Sequence, residues 1–150
     1  MNGSRGYAAI GLFAPIDEKN IGSALRAASC YGAALVAYTG QPYKRACTDT
    51  TAYYRHAPLV ATEDLRSVIP FDCVPVAVDL VEGAESLVNY RHPLSAFYVF
   101  GPENGTLGES VLSWCRDRVM VPTRFCMNLA ATVNVVLYDR LAKDAHEVAK

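Results

Sequence analysis

The segment Ala96-Phe97-Tyr98-Val99-Phe100-Gly101-Pro102-Glu103-Asn104-Gly105 changes character halfway along. Its first five residues are apolar without interruption, the pattern of a strand buried on both faces, as interior strands of parallel sheets are. The run stops abruptly at a turn in which Gly, Pro and Asn are concentrated. A buried strand delivering the chain into so dense a turn marks a loop with a particular task.

Outward from this point, short apolar runs alternate with helical stretches, the signature of an α/β fold around a mostly parallel sheet with helices on both faces. Upstream, Tyr7 to Phe13 reads as a first strand. A loop through Pro15 and Lys19 leads to an amphipathic helix from Ile21 to Tyr31, with Ile21, Leu25, Ala28 and Ser29 on its buried face. Gly32 closes that helix and Ala34 to Tyr38 forms a second strand ending at Thr39-Gly40. From Gln41 to Pro58 no period is visible; Lys44, Arg45, Arg55 and His56 are interleaved there with Tyr43, Tyr53 and Tyr54. Thr62 or Asp64 opens a short helix towards Ile69, and Cys73 to Leu80 is another buried strand. Downstream, a helix from Leu107 to Trp114 and a strand from Arg118 to Val121 precede a last helix from about Met127 to Leu141. Val133, Val135 and Val136 give that last stretch β-like composition, but its length and the 133, 136, 137, 141 spacing favour helix.

A chain of 150 residues suits a single domain, 1–150, large enough to bury a core without staples. Charged residues make up 19% and are scattered, which excludes a disordered or strongly charged tail. Met1 to Arg5 lacks the flank of a secretory signal and no apolar run approaches eighteen residues, so no membrane association and a cytoplasmic location are expected. Cys30, Cys47, Cys73, Cys115 and Cys126 are widely spaced with no Cys-x-x-Cys pair, and are expected to be reduced thiols that mostly fill the core, with no metal site. His92 and His146 read as surface residues and Trp114 as a core anchor. The net charge of −1 gives little bulk attraction to nucleic acid, so any RNA contact must come from a local patch.

Neither Gly-x-Gly-x-x-Gly after the first strand nor Gly-x4-Gly-Lys-Ser/Thr occurs, which argues against a Rossmann dehydrogenase, a P-loop enzyme and the usual Rossmann-like methyltransferase. Three other segments stand in register instead. Asn20-Ile21-Gly22 followed by Arg26-Ala27-Ala28 places an Asn and an Arg six apart around a Gly. Phe100-Gly101-Pro102-Glu103-Asn104-Gly105 leads to Leu107-Gly108, and Cys126-Met127-Asn128-Leu129 continues to Leu137-Tyr138-Asp139. In order, spacing and strand context these resemble the three motifs of the SpoU (TrmH-like) family of SPOUT RNA 2′-O-methyltransferases, over nearly the whole chain from Tyr7 to about Leu141.

The resemblance implies a C-terminal deep trefoil knot, an exception to the rule that chains avoid knots, and a homodimer. It implies S-adenosyl-L-methionine as cofactor, held largely by backbone groups of Phe100, Gly101, Pro102 and Glu103, of Met120, Val121 and Pro122, and of Met127, Asn128 and Leu129. The reaction implied is attack of a ribose 2′-hydroxyl on the sulfonium methyl group. Arg26 matches the family's essential arginine; a guanidinium stays protonated and cannot serve as an ordinary base. Its expected work is to grip an RNA phosphate and the reacting ribose and to stabilise the developing alkoxide, while a phosphate oxygen or water takes the proton. Asn20, Glu103 and Asn128 complete the catalytic set as its polar frame. The plain alternative for Glu103 is helix-end capping, and a lone Asn at a helix start is often a cap.

Cys126 stands where Ser is usual and Ala130 where a second Ser is common, which removes two hydroxyl groups. Lys44, Arg45, Arg55 and His56 with the nearby tyrosines are the expected RNA contacts, through phosphate binding and stacking; a solvated loop is the alternative. The face of the last helix through Val133, Val136 and Leu137 is the candidate dimer seam, with intramolecular core as the other reading. The minimal form and Met-Asn-Leu in the third motif look most like the enzymes that methylate the tRNA wobble nucleotide, so tRNA is the leading substrate and rRNA the alternative. A knotted cofactor- and RNA-binding module with little catalytic activity is a further alternative.

Overall fold

In the computed structural model, which describes residues 6–148 and side chains as far as 144, the Ala96–Phe100 run is an interior strand with all five residues buried. In chain order the strands are β1 (Ala8–Leu12), β2 (Leu35–Tyr38), β3 (Leu59–Ala61), β4 (Val74–Val78), β5 (Glu85–Ser86), β6 (Ala96–Phe100) and β7 (Asp117–Met120), and the helices are α1 (Glu18–Cys30), α2 (Glu109–Leu112) and α3 (Leu129–Val148). The sheet order is β3-β2-β1-β6-β4-β7-β5, and every pairing is parallel. β1 and β4 flank β6 in matched register, Leu12 and Val78 both opposite Phe100, so these strands end level with one another.

The period of two divides each strand between two cores. Tyr98 and Phe100 face one side, where Ile21, Leu25 and Ala28 of α1 and Leu129, Val133, Val136 and Leu137 of α3 cover the sheet. Phe97 and Val99 face the other, beneath Leu65, Leu107, Val111 and Leu112. Each fully buried side chain of this size contributes about 1.5–3 kcal/mol relative to exposure. Asp17 opens α1 by accepting the Lys19 amide at 2.8 Å, and Gly32, at φ +67°, closes it in the left-handed conformation that glycine adopts without strain.

Several expectations are corrected. The last helix runs on to Val148, since 142–148 contain no Gly or Pro and Asp139 pairs with Lys143 one turn on at 2.7 Å. The helix expected over Leu107–Trp114 contracts to Glu109–Leu112, because Leu107 is pinned outside it and Trp114 lies half-buried beyond its end. β3 and β5 are too short for any period to reveal. Val133, Val136 and Leu137 are core against the sheet and α1 and present no seam; the exposed apolar side of α3 carries Val135, Tyr138 and Leu141. Cys30, Cys47 and Cys126 are exposed and Cys73 and Cys115 half-buried, all as free thiols, because the first three lie at a helix end or in loops. The His92 side chain is only 2% exposed, enclosed between β6 and α3. Met1–Arg5 and the His146 side chain lie outside the described residues.

Candidate functional site

β4, β6 and β7 release the chain at one edge of the sheet, the carboxyl edge at which open α/β folds bind ligands. The turns that follow them diverge around a cavity of about 250 Å³. Phe100, Gly101, Pro102, Glu103, Met120, Val121, Pro122, Met127 and Leu129 all line it, so the turn after β6 meets the segment that runs from the end of β7 into α3. Asn128 is the exception. Its Oδ1 accepts the Ala131 amide at 2.8 Å, which makes it the N-cap of α3 and turns the side chain away from the cavity.

Asp79 and Leu80, just past β4, also line the cavity and were not singled out from the sequence, although their place at the end of a buried strand was a usable signal. The Asp79 carboxylate accepts the Leu80 amide at 2.8 Å and the Leu107 amide at 2.6 Å, fastening the turn after β6 to the end of β4. Gly101 lets that turn lie close: a Cβ there would stand 3.1 Å from Asp79 Oδ2 and 3.4 Å from the Leu107 side chain.

Glu103 reaches the other way. Its carboxylate accepts the amides of Ile16 at 3.0 Å and Asp17 at 3.4 Å, and the Asn20 Nδ2 donates to it at 3.4 Å. The first and second motifs are therefore joined by Asn20 and Glu103. Arg26 is not part of that junction. It stands six residues further along α1, about 9 Å of helix rise, exposed and without a hydrogen-bond or ion-pair partner among the described residues.

Lys19, Gly22, Arg26 and Ser29 share one side of α1, and residues 46–51 pack along it. Thr48 Oγ1 donates to the Lys19 carbonyl at 2.8 Å, and the Ser29 and Thr51 hydroxyls bond at 2.8 Å. A Cβ on Gly22 would collide with Thr48 Oγ1 and come 3.0 Å from the Asp49 amide nitrogen. Arg26 thus emerges beside the basic, aromatic segment. Lys44, Arg45, Arg55 and His56 are all exposed and none lines the cavity. The Arg55 guanidinium lies 5.8 Å from the centre of the Tyr54 ring, and His56 Nε2 bonds the Thr51 carbonyl at 3.1 Å. Of the three tyrosines only Tyr54 is free to stack: Tyr53 is core, donating to the Ala33 carbonyl at 2.8 Å with burial pushing its phenol up to about 12, and Tyr43 is half-buried.

At the departures from the family pattern, Cys126 lies exposed on the cavity wall and Ala130 is buried in the first turns of α3.

A parallel α/β sheet with a cavity between the turns of its carboxyl edge defines a ligand-binding class of fold. The sequence matches the profile of the SpoU rRNA Methylase family over residues 8–138, and the chain belongs to that family. Solved structures share the fold. AviRb, a SpoU methyltransferase from Streptomyces viridochromogenes solved in complex with AdoMet, matches with a TM-score of 0.80 at 17% identity, over 97% of this chain and 63% of that one. The A. aeolicus TrmH/SpoU tRNA modifying enzyme matches at 0.83 and 12% identity, over 96% and 79%. A structure concerned with 2-OH methylation of C/U34 on tRNA matches at 0.75 and 20% identity, over 95% and 93%. The chain spans 58% of the length of an rRNA methyltransferase from Sinorhizobium meliloti that it also matches. No curated protein sequence matches it.

Proposed function

We propose that the protein is an S-adenosyl-L-methionine-dependent RNA 2′-O-methyltransferase, a single knotted domain working as a homodimer on tRNA. The observation that carries this reading is the cavity itself: the strand-end turns of the second and third motifs form its walls, and the first motif is fastened to them through Glu103.

The lining fits the cofactor. Phe100, Met120, Val121, Met127 and Leu129 offer apolar walls to an adenine, with turn backbone at hand for its polar edge. Asp79 and Glu103 give the lining one more negative than positive side chain, Arg124 being its single cation, which suits a sulfonium. When bound, S-adenosyl-L-methionine supplies an activated methyl group. The protein's task is to place a ribose 2′-hydroxyl in line with it. Arg26, unpaired and exposed, is available to hold an RNA phosphate and the ribose, and a phosphate oxygen or water accepts the hydroxyl proton. Lys44, Arg45, Arg55 and His56 extend the RNA contact along the segment packed beside Arg26.

The apolar stripe of Val135, Tyr138 and Leu141 is the surface we assign to the dimer. Likeness along nearly the whole of both chains to the structure concerned with C/U34 of tRNA favours tRNA over rRNA. Cys126 and Ala130, in place of two hydroxyl side chains, favour a second reading: a cofactor- and RNA-binding module with little transfer activity.

Incubation with methyl-labelled S-adenosyl-L-methionine and separate tRNA and rRNA pools decides between these. The enzyme reading expects label in the 2′-O position of tRNA, lost on Arg26→Ala. Cofactor binding with no label in any RNA would establish the binding module instead.

A further inference from the structure

Two side chains on the cavity rim contribute little to the fold. Phe125 leaves 84% of its surface exposed, and its neighbour Arg124 has no hydrogen-bond or ion-pair partner among the described residues. The turn that carries them is nevertheless well held: Thr123 Oγ1 donates to the Phe125 carbonyl at 2.7 Å, and Asn128 caps the helix that follows. The backbone is fixed while the ring stands uncovered, which forfeits the favourable burial of a large apolar surface. Across the mouth, Leu80 also lines the cavity with 67% of its surface exposed. The two carboxylates of the lining do not neutralise Arg124, since Asp79 and Glu103 each accept backbone amides elsewhere.

An uncovered aromatic ring and an unpaired guanidinium on adjacent residues match a nucleotide: a base stacks on the ring and the phosphate pairs with the cation. We propose that Phe125 and Arg124 form the seat of the target nucleotide, the base on the Phe125 ring and an adjoining phosphate on Arg124, beside the methyl donor. The inference rests on the RNA methyltransferase reading and adds to it. Every base has a face to stack, so this seat selects an unpaired nucleotide and is tolerant of which base it carries.

Phe125→Ala, Phe125→Trp and Arg124→Gln in the full chain test it, through S-adenosyl-L-methionine affinity by calorimetry, RNA affinity by filter binding and steady-state transfer with each substrate varied. Phe125→Ala is expected to weaken RNA binding about tenfold with cofactor affinity within about twofold of the parent, and Phe125→Trp to restore it. Arg124→Gln is expected to weaken RNA binding and flatten its salt dependence. A tenfold loss of cofactor affinity with RNA binding intact would overturn the proposal and make the ring a cover for the cofactor; no change in either affinity would overturn it too. If the parent protein transfers no methyl group to any RNA, the enzymatic reading fails, and the filter-binding comparison still decides whether Phe125 seats a nucleotide.

Discussion

The Glu103 carboxylate accepts the Ile16 amide at 3.0 Å, joining residues 87 apart in the chain. The contact lies just ahead of α1, where the positive end of the helix favours a carboxylate. Capping and site assembly, alternatives when only the sequence is read, are one arrangement here: the carboxylate that satisfies the entry to α1 also sets the turn after β6 against Asn20. These bonds are exposed, so Glu103→Ala is expected to cost only about 1 kcal/mol of stability, or about 2–4 °C in Tm. Methyl transfer should fall much further, on the order of tenfold or more, because the first motif is no longer registered on the second. Thermal melts alongside initial rates check this; an unchanged rate with a lowered Tm would leave Glu103 as a cap alone.

Asn128 has its side chain committed to the Ala131 amide at 2.8 Å. Losing an N-cap of this kind costs about 1 kcal/mol. Asn128→Ala is therefore expected to lower Tm by about 2–4 °C, and Asn128→Ser, another good cap, to recover it. Transfer activity should follow stability in both variants. A Ser variant with parental Tm and no activity would give Asn128 a role in the chemistry that its present hydrogen bond does not display.

The family's glycine in the first motif has a local physical reason in Gly22, which lies against Thr48 and Asp49 with no room for a Cβ. Gly22→Ala offers a better helix former at an interior position, which by propensity alone favours the variant by about 1 kcal/mol. The clash with segment 46–49 opposes it with the overpacking cost of about 1–3 kcal/mol, so net destabilisation is expected. Because the displaced segment runs beside Arg26, RNA affinity should fall while cofactor affinity is kept. Melts and the two affinities measured separately check the order of effects; a stabilised variant would show that segment 46–49 yields freely.

These cases show what kind of information the sequence carries. The interior strand Ala96–Phe100 was readable because burial on both faces leaves an unbroken apolar run, and the helix α1 because its apolar spacing and Gly32 both speak locally. The cavity wall was readable only because the motif turns follow such strands. Asp79 and Leu80 went unseen because their meaning lies in a partner, Leu107, that is distant in sequence. Two readings stayed open for Asn128 and for the face of α3 through Val133, Val136 and Leu137, and His92 was misplaced, for one reason: each depends on which neighbour lies across the packing interface, and residue spacing does not encode that.

His92 shows this most sharply and predicts a pH dependence. Its Nδ1 lies 2.7 Å from the Tyr98 hydroxyl and its Nε2 2.8 Å from Asp139. Arg140 donates to the same Tyr98 oxygen at 3.1 Å, and Lys143 pairs with Asp139 at 2.7 Å. The Tyr90 ring packs edge-on at 5.1 Å. Burial lowers the His92 pKa below its usual 6.5; Asp139 opposes the shift, and Lys143 and Arg140 reinforce it. The Tyr98 phenol is pushed up to about 12 by burial and keeps its proton, so Tyr98 donates to Nδ1 and neutral His92 donates from Nε2 to Asp139. In the unfolded chain the imidazole regains its ordinary pKa. Stability from this site is therefore complete above about pH 6.5 and is lost as pH falls from there through the lowered folded value, where the unfolded state binds the extra proton. Asp117, held below its usual range chiefly by Arg116, begins to lose its contribution only as the pH falls below its unfolded value of 3.8, outside the range of the melts that test His92. Thermal melts between pH 7.5 and about pH 5 should show a Tm that falls with acid in the parent. In His92→Asn, Tm should be lower at neutral pH, because Tyr98 and Asp139 lose a partner, and should change less with pH. Parallel curves for the two proteins would locate the acid sensitivity elsewhere.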